Sequence, residues 1–182
     1  FHRARLLSRI DGVGAMIAVG ASLAVVEPLM AKYPQLWVAA YNGPNSLTLG
    51  GVKSSVAAIS AELTALKVFN RVLKINNAYH TPLMDVVQDE AVAVFKLTLA
   101  GIQDPIMPYV SAVTGDWKAG GFDERYTWDG IKGPVLFDKA VSAACARFGA
   151  EHTVFLEISA HPVLSSYLTE NGSQFNLCTL AR

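Results

Sequence analysis

The sequence predicts an α/β protein, an α/β core interrupted by an inserted β-α-β-β-α-β unit. Three observations predict it. Between Gly14 and Ile75, short apolar runs and amphipathic stretches follow one another in that order. Thr153-Val154-Phe155-Leu156-Glu157-Ile158 is a near-continuous apolar run that turns at Ser159-Ala160-His161-Pro162, the pattern of a strand buried on both faces and followed by a helix. The length of 182 residues suits one domain carrying a smaller insert.

The elements follow in order. Phe1, Leu6, Leu7 and Ile10 fit one helical stripe, and Asp11-Gly12-Val13-Gly14 stops it, because glycine tolerates the left-handed geometry of a helix end. No capping residue precedes Phe1, so residues 1–12 read as the end of a core helix in something longer. Residues 13–76 form the insert. Ala15 to Val19 is a strand, Ser22 caps a helix from Leu23 to about Lys32, and Leu36 to Tyr41 is a second strand. Asn42-Gly43-Pro44-Asn45 is turn chemistry, and Ser46 to Leu49 pairs back. Val52, Val56, Ile59, Leu63 and Leu66 recur at steps of four, three, four and three, an amphipathic helix, and Phe69 to Ile75 closes the unit. Residues 77–182 return to the core. Pro82 to about Leu99 is helical, Pro105 to Val113 is extended, and Thr114 through Gly121 is a loop. Phe137, Ala140, Val141, Ala144 and Phe148 mark a helix, and the strand 153–158 leads into a helix whose first position is Pro162.

Composition excludes several function classes. The chain has 15 basic and 15 acidic residues, so no charge excess draws it to nucleic acid or to an anionic membrane. Cys145 and Cys178 are too few for a disulfide framework and lack metal-ligand spacing; we expect a reducing, cytoplasmic setting and no metal. No apolar run reaches the roughly 18 residues of a membrane span. At 52% hydrophobic residues and a mean hydropathy of +0.31, the chain is apolar enough to expect surfaces covered by other parts of a larger polypeptide.

The segment Asn77-Ala78-Tyr79-His80-Thr81-Pro82 carries the chemistry. It sets a histidine past the end of a strand-like run and before a proline that opens a helix, a setting that can hold the ring rigidly toward a cleft as a general base needs; a surface or capping histidine is the other reading of the same residues. His152 reads as exposed, His161 as a support for its turn, and Trp37, Trp117 and Trp128 as packing residues.

Five blocks in order resemble the second half of an acyltransferase domain of a polyketide synthase, the fungal iterative type most of all. They are residues 14–20, Ala39 to Gly51, Ala78 to Pro82, Trp128 to Phe137 and Phe155 to Leu164. The resemblance implies part of an α/β-hydrolase-like core with an inserted ferredoxin-like βαββαβ subdomain. It implies transfer of a malonyl group from malonyl-coenzyme A, through a serine ester, to the phosphopantetheine thiol of an acyl carrier protein. His80 matches the histidine that takes the serine proton. Arg3 matches, by register with Gly12-Val13-Gly14-Ala15-Met16, the arginine that forks onto the malonyl carboxylate. Tyr79, before the histidine, matches a position where a bulky aromatic goes with malonyl and a serine with methylmalonyl. Asn42 matches an asparagine near the cleft, with a turn role equally open. A backbone carbonyl orients the histidine in the family, and the Leu136 carbonyl is the expected source.

The chain departs from the family at one central point. It contains no Gly-x-Ser-x-Gly elbow, so the expectation is that the nucleophile lies before Phe1 and that these residues alone are inactive. Ser159-Ala160 also replaces the usual Gly-Pro before His161-Pro162. No bound cofactor is implied; the partners are malonyl-coenzyme A, the carrier protein and the rest of a multidomain synthase, with neither nucleic acid nor membrane. Two other readings stay open: the corresponding domain of a fatty acid synthase, and a non-enzymatic ligand-binding or docking module.

Overall fold

A computed structural model describes residues 2–180. The expected stripe position Phe1 lies outside the described residues. Helix α1 spans His2–Leu7 and continues as a 3₁₀ turn, Ser8–Ile10. Gly12, at φ 86°, ends the segment as its sequence requires.

The insert forms as predicted in order. Strand β1 is Ala15–Val19, α2 is Leu23–Met30, β2 is Leu36–Gly43, β3 is Ser46–Gly51, α3 is Lys53–Ala65 and β4 is Asn70–Val72. The strands lie in the order β4-β1-β3-β2, every pair antiparallel. Alternation sends Ile17, Val19, Leu47 and Leu49 to one face, where α2 and α3 cover them with Val26, Val56, Ile59 and Leu63. Ile17, Leu49, Ile59 and Leu63 are fully buried, and each contributes about 1.5–3 kcal/mol by leaving water. Leu66, expected in the α3 stripe, falls at the helix C-cap and is exposed. Strand β4 is shorter than expected because Leu73 only adds a backbone bond to Met16 and Ile75 turns out to solvent.

The remaining residues build around this sheet. The stretch from Pro82 divides into a 3₁₀ turn, Pro82–Val87, and α4, Gln88–Thr98. Within the expected extended and loop segments only β5, Val110–Ser111, and β6, Asp116–Trp117, pair. Helix α5, Glu124–Lys132, capped by Asp123, and β7, Val135–Leu136, were not anticipated. Helix α6 is Phe137–Phe148, β8 is Val154–Glu157, α7 is Ser165–Glu170 and β9 is Phe175–Cys178. Strand β7 adds in parallel to β2, with Ala40 opposite Val135 and Tyr41 opposite Leu136. The insert's sheet is thereby extended by a strand from residues 77–182.

Two expectations about the C-terminal stretch are corrected. The β8 strand is not buried on both faces. It pairs in parallel with β9 alone, and Val154, Leu156, Phe175 and Leu177 are each more than half exposed on one side of that pair. Pro162 does not open α7, which starts three residues later at Ser165. The Glu157 carboxylate accepts hydrogen bonds from the backbone N–H groups of Val163 (2.9 Å) and Leu164 (3.0 Å), and so orders the 159–164 turn as non-helical.

A second core forms behind the His80 segment. Leu6, Leu7 and Ile10 pack with Met84, Val87, Ala91 and Phe95 and with Trp128 and Ile131. It joins the N-terminal helix, the 82–98 stretch and α5 into one support.

Candidate active site

The segment from Asn77 to Thr81 runs between the two cores, held by close approach on both sides. A Cβ on Gly14 would come within 2.6 Å of the Ala78 Cβ, and one on Gly50 within 2.8 Å of the Thr81 methyl, so both glycines admit the segment against the sheet. Thr81 is buried; its hydroxyl donates to the Ala78 carbonyl at 2.6 Å and accepts from the Leu83 N–H at 3.3 Å. That caps the turn in which Pro82 takes the first position.

His80 is held in a strained backbone conformation, φ 61°, which costs a side-chain-bearing residue on the order of 1–3 kcal/mol. Two contacts from the end of α5 hold it there. The His80 N–H donates to the Ile131 carbonyl at 2.9 Å, and the ring Nδ1 meets the Gly133 carbonyl at 3.0 Å. A carbonyl only accepts, so Nδ1 carries the proton and Nε2 keeps its lone pair. That is the tautomer of a general base. Burial pushes the imidazole pKa below its ordinary value and the Arg3 charge pushes it the same way, while the Gly133 carbonyl opposes them. The ring is therefore neutral at physiological pH.

The orienting carbonyl expected from Leu136 is corrected to Gly133. Leu136 is committed to β7, opposite Tyr41, and its N–H donates to the Ala112 carbonyl at 2.7 Å. Gly133 precedes Pro134, which drives it into extended geometry, ψ 154°, and turns its carbonyl out of the helix toward His80.

Arg3 and Tyr79 line one cavity of about 710 Å³, together with Leu7, Ser8, Asp11 and Asn77. Arg3 is exposed and makes no ion pair among the described residues. His80 lines a neighbouring cavity of about 930 Å³ with Trp37, Tyr41, Lys132 and Gly133. Arg3, Tyr79 and His80 are thus gathered around one short stretch of backbone. Asn42 is not among them. Its side-chain amide donates to the Thr48 hydroxyl at 3.0 Å and its backbone carbonyl accepts from the Asn171 side-chain amide at 2.7 Å, so it fastens the β2–β3 hairpin to the end of α7 and lines neither cavity. His152 and His161 are exposed. Among the described residues no group of three His, Cys, Asp or Glu is placed to hold a metal, and no helix is long and apolar enough to cross a membrane.

The arrangement supplies a fixed, neutral base, with an exposed guanidinium near enough for its charge to act on the ring. Comparison with known proteins identifies the family. The family model described as an acyl transferase domain matches residues 1–181. The chain is 29% identical over 177 residues to probable polyketide synthase 25 of Dictyostelium discoideum, covering 93% of this chain and 7% of that protein. It is 32% identical over 172 residues to a phenolphthiocerol/phthiocerol polyketide synthase of Mycobacterium tuberculosis, covering 92% and 11%. Among solved structures, a loading acyltransferase from the avermectin modular polyketide synthase superposes with a TM-score of 0.88 at 28% identity, over 99% of this chain and 57% of that one. The acyltransferase domain from module 8 of the salinomycin polyketide synthase gives 0.89 at 27%, over 100% and 43%. The chain spans about half the length of these solved chains and about a tenth or less of the two synthases.

Proposed function

Because the chain belongs to the acyl transferase domain family, we propose that it supplies the base and the carboxylate clamp of a polyketide-synthase malonyl transferase. The nucleophilic serine, in this reading, comes from outside these 182 residues, which contain no Gly-x-Ser-x-Gly. His80 Nε2 takes the serine proton as the oxygen attacks the thioester carbonyl of malonyl-coenzyme A. The C–S bond breaks, the proton passes to the departing thiolate, and a malonyl-serine ester remains. In the second half His80 takes the proton of the carrier protein's phosphopantetheine thiol, the thiolate attacks the ester, and the proton returns to the serine oxygen. Arg3 holds the free malonyl carboxylate throughout, and Tyr79 limits what fits at the α-carbon. No bound cofactor takes part.

The observation that carries this reading is the Nδ1 contact of His80 with the Gly133 carbonyl, which leaves Nε2 free as a base. The parallel β8–β9 pair supports the remainder being part of an α/β-hydrolase-like core that other sequence completes. The five sequence blocks support an iterative multidomain synthase of the fungal type, and the two free cysteines, Cys145 and Cys178, support a reducing, cytoplasmic setting. The test is malonyl transfer to carrier protein by the full-length protein that contains these residues. His80→Ala should lower it by about 10²-fold or more with folding intact; transfer at the parent rate would remove His80 from the mechanism.

A further inference from the structure

Asn77 is one of the few polar side chains buried here, at 4% exposure, and it lies two residues before Tyr79 and three before His80. Its surroundings assign its amide. One end faces two carbonyls, those of Ile10 (2.5 Å) and Asn76 (3.1 Å), and must be the NH₂ group. The other faces the Tyr79 hydroxyl at 3.2 Å and must be the oxygen, so the phenol donates to it. Ile10 closes the 3₁₀ turn that continues the Arg3 helix, and the Gly12 N–H adds a bond to the Asn76 carbonyl at 2.9 Å. A single buried amide therefore joins the end of the Arg3-bearing segment to the phenol of Tyr79. Arg3, Tyr79 and Asn77 line the same cavity.

We infer that Asn77 is a positioning residue whose amide locks the Tyr79 ring against the Arg3 segment and so fixes the room left at the α-carbon of the acyl group. The inference rests on the malonyl transferase reading and adds what holds its selectivity in place. A tyrosine that hydrogen-bonds at its hydroxyl is pinned at both ends of the ring, whereas a phenylalanine of the same girth can tilt. Discrimination against an added methyl then comes from the rigidity of the ring as well as from its bulk, and Asn77 sets that rigidity through the Tyr79 hydroxyl.

The test uses the full-length protein and measures kcat/KM for malonyl- and methylmalonyl-coenzyme A with the parent, Tyr79→Phe, Asn77→Ala and the double variant. Tyr79→Phe keeps the ring and its packing but loses the lock, and removes the risk that loss of a buried amide unfolds the domain. We expect it to raise the methylmalonyl-to-malonyl ratio by about 3- to 10-fold, the effect of one hydrogen bond. Asn77→Ala should raise it similarly and the double variant no further, since both break one contact. A purely structural role would lower both thioesters alike and leave the ratio unmoved. If the parent transfers malonyl and Tyr79→Phe retains its ratio, or the two effects add, the lock is overturned while the function stands. If the parent transfers neither thioester, the functional reading fails and the inference fails with it.

Discussion

Replacing Arg3 by alanine tests two consequences of one charge. As a clamp, Arg3 would give charge-assisted hydrogen bonds to the malonyl carboxylate that acetyl lacks. Such bonds contribute about 1.5–3 kcal/mol, or about 10- to 150-fold in selectivity. Arg3 is exposed in this chain, so solvent screening favours the lower end unless the bound substrate and the rest of the protein cover it. As a neighbour, the guanidinium is one of the two influences that hold the His80 pKa below its ordinary 6.5, burial being the larger. Removing it leaves burial opposed by the Gly133 carbonyl, so the pKa rises toward 6.5. A base with a raised pKa is protonated at higher pH, and the acid limb of the kcat/KM profile must move upward.

The assay is competition between malonyl- and acetyl-coenzyme A by the full-length protein, with the profile of the acid limb measured alongside. The expected result for Arg3→Ala is a malonyl preference reduced by about 10-fold or more, together with an acid limb displaced to higher pH. Arg3→Lys should keep the limb where it is, because the charge remains, yet lose selectivity, because an ammonium cannot fork onto a carboxylate. An unchanged preference in Arg3→Ala would place the clamp elsewhere. An unchanged limb would show that the Arg3 charge does not reach His80 in the working protein.

Further outcomes follow from the same geometry. Tyr79→Ser should relax the preference for malonyl over methylmalonyl, since overpacking by an added methyl costs about 1–3 kcal/mol beside a ring; equal use of both thioesters by the parent would refute it. Ile59→Ala, at a fully buried position between α3 and the sheet, should destabilise by about 2–5 kcal/mol in denaturant titration, and a loss below about 1 kcal/mol would contradict the packing. Stability should fall as the pH drops below 6.5, because the unfolded chain binds a proton at His80 before the folded one does; His80→Gln should flatten that part of the curve. Residues 1–182 alone should form no acyl adduct with malonyl-coenzyme A by intact mass, and a stable adduct on one of their serines would place the nucleophile within this chain.

What the sequence made legible was whatever its period encodes directly. The α3 stripe, the apolar run of β1 and the turn chemistry between β2 and β3 placed the insert and its core, because period and turn residues are local signals; the pairing of β1 with β3 and β4 was not among them. Strand β4 ends at Val72, so His80 stands in a turn eight residues on and not at the lip of a strand; it was legible through Pro82, which takes the first position of the 3₁₀ turn that follows. The orienting carbonyl was not, because any backbone oxygen of the 130–136 stretch has the same chemistry. Only the extended geometry forced on Gly133 by Pro134, and the pairing of Leu136 with Tyr41, decide between them. Asn77 was passed over for a related reason. Its partners, Ile10 and Tyr79, are 67 residues before it and two after, and no spacing in the sequence announces a contact between a helix end and a phenol.

The β8 strand is the sharper case, since its sequence says one thing and its surroundings another. Val154-Phe155-Leu156 reads as a strand covered on both faces, and β9 supplies Phe175 and Leu177 in the same style. In the described residues Phe155 and Leu156 line a cavity with Val141 of α6 and Leu168 of α7, while Val154, Leu156, Phe175 and Leu177 are each more than half exposed. Apolar side chains paired opposite one another across a parallel ladder have no reason to face water, and an apolar row of this kind favours association. Val154→Lys with Leu177→Lys places two charges at exposed positions of that row, outside the cavity that α7 lines. If the face drives association, the double variant of residues 1–182 should sediment at a lower mass than the parent at the same concentration. Equal masses for the two would show that the exposed row is not what brings copies of the chain together.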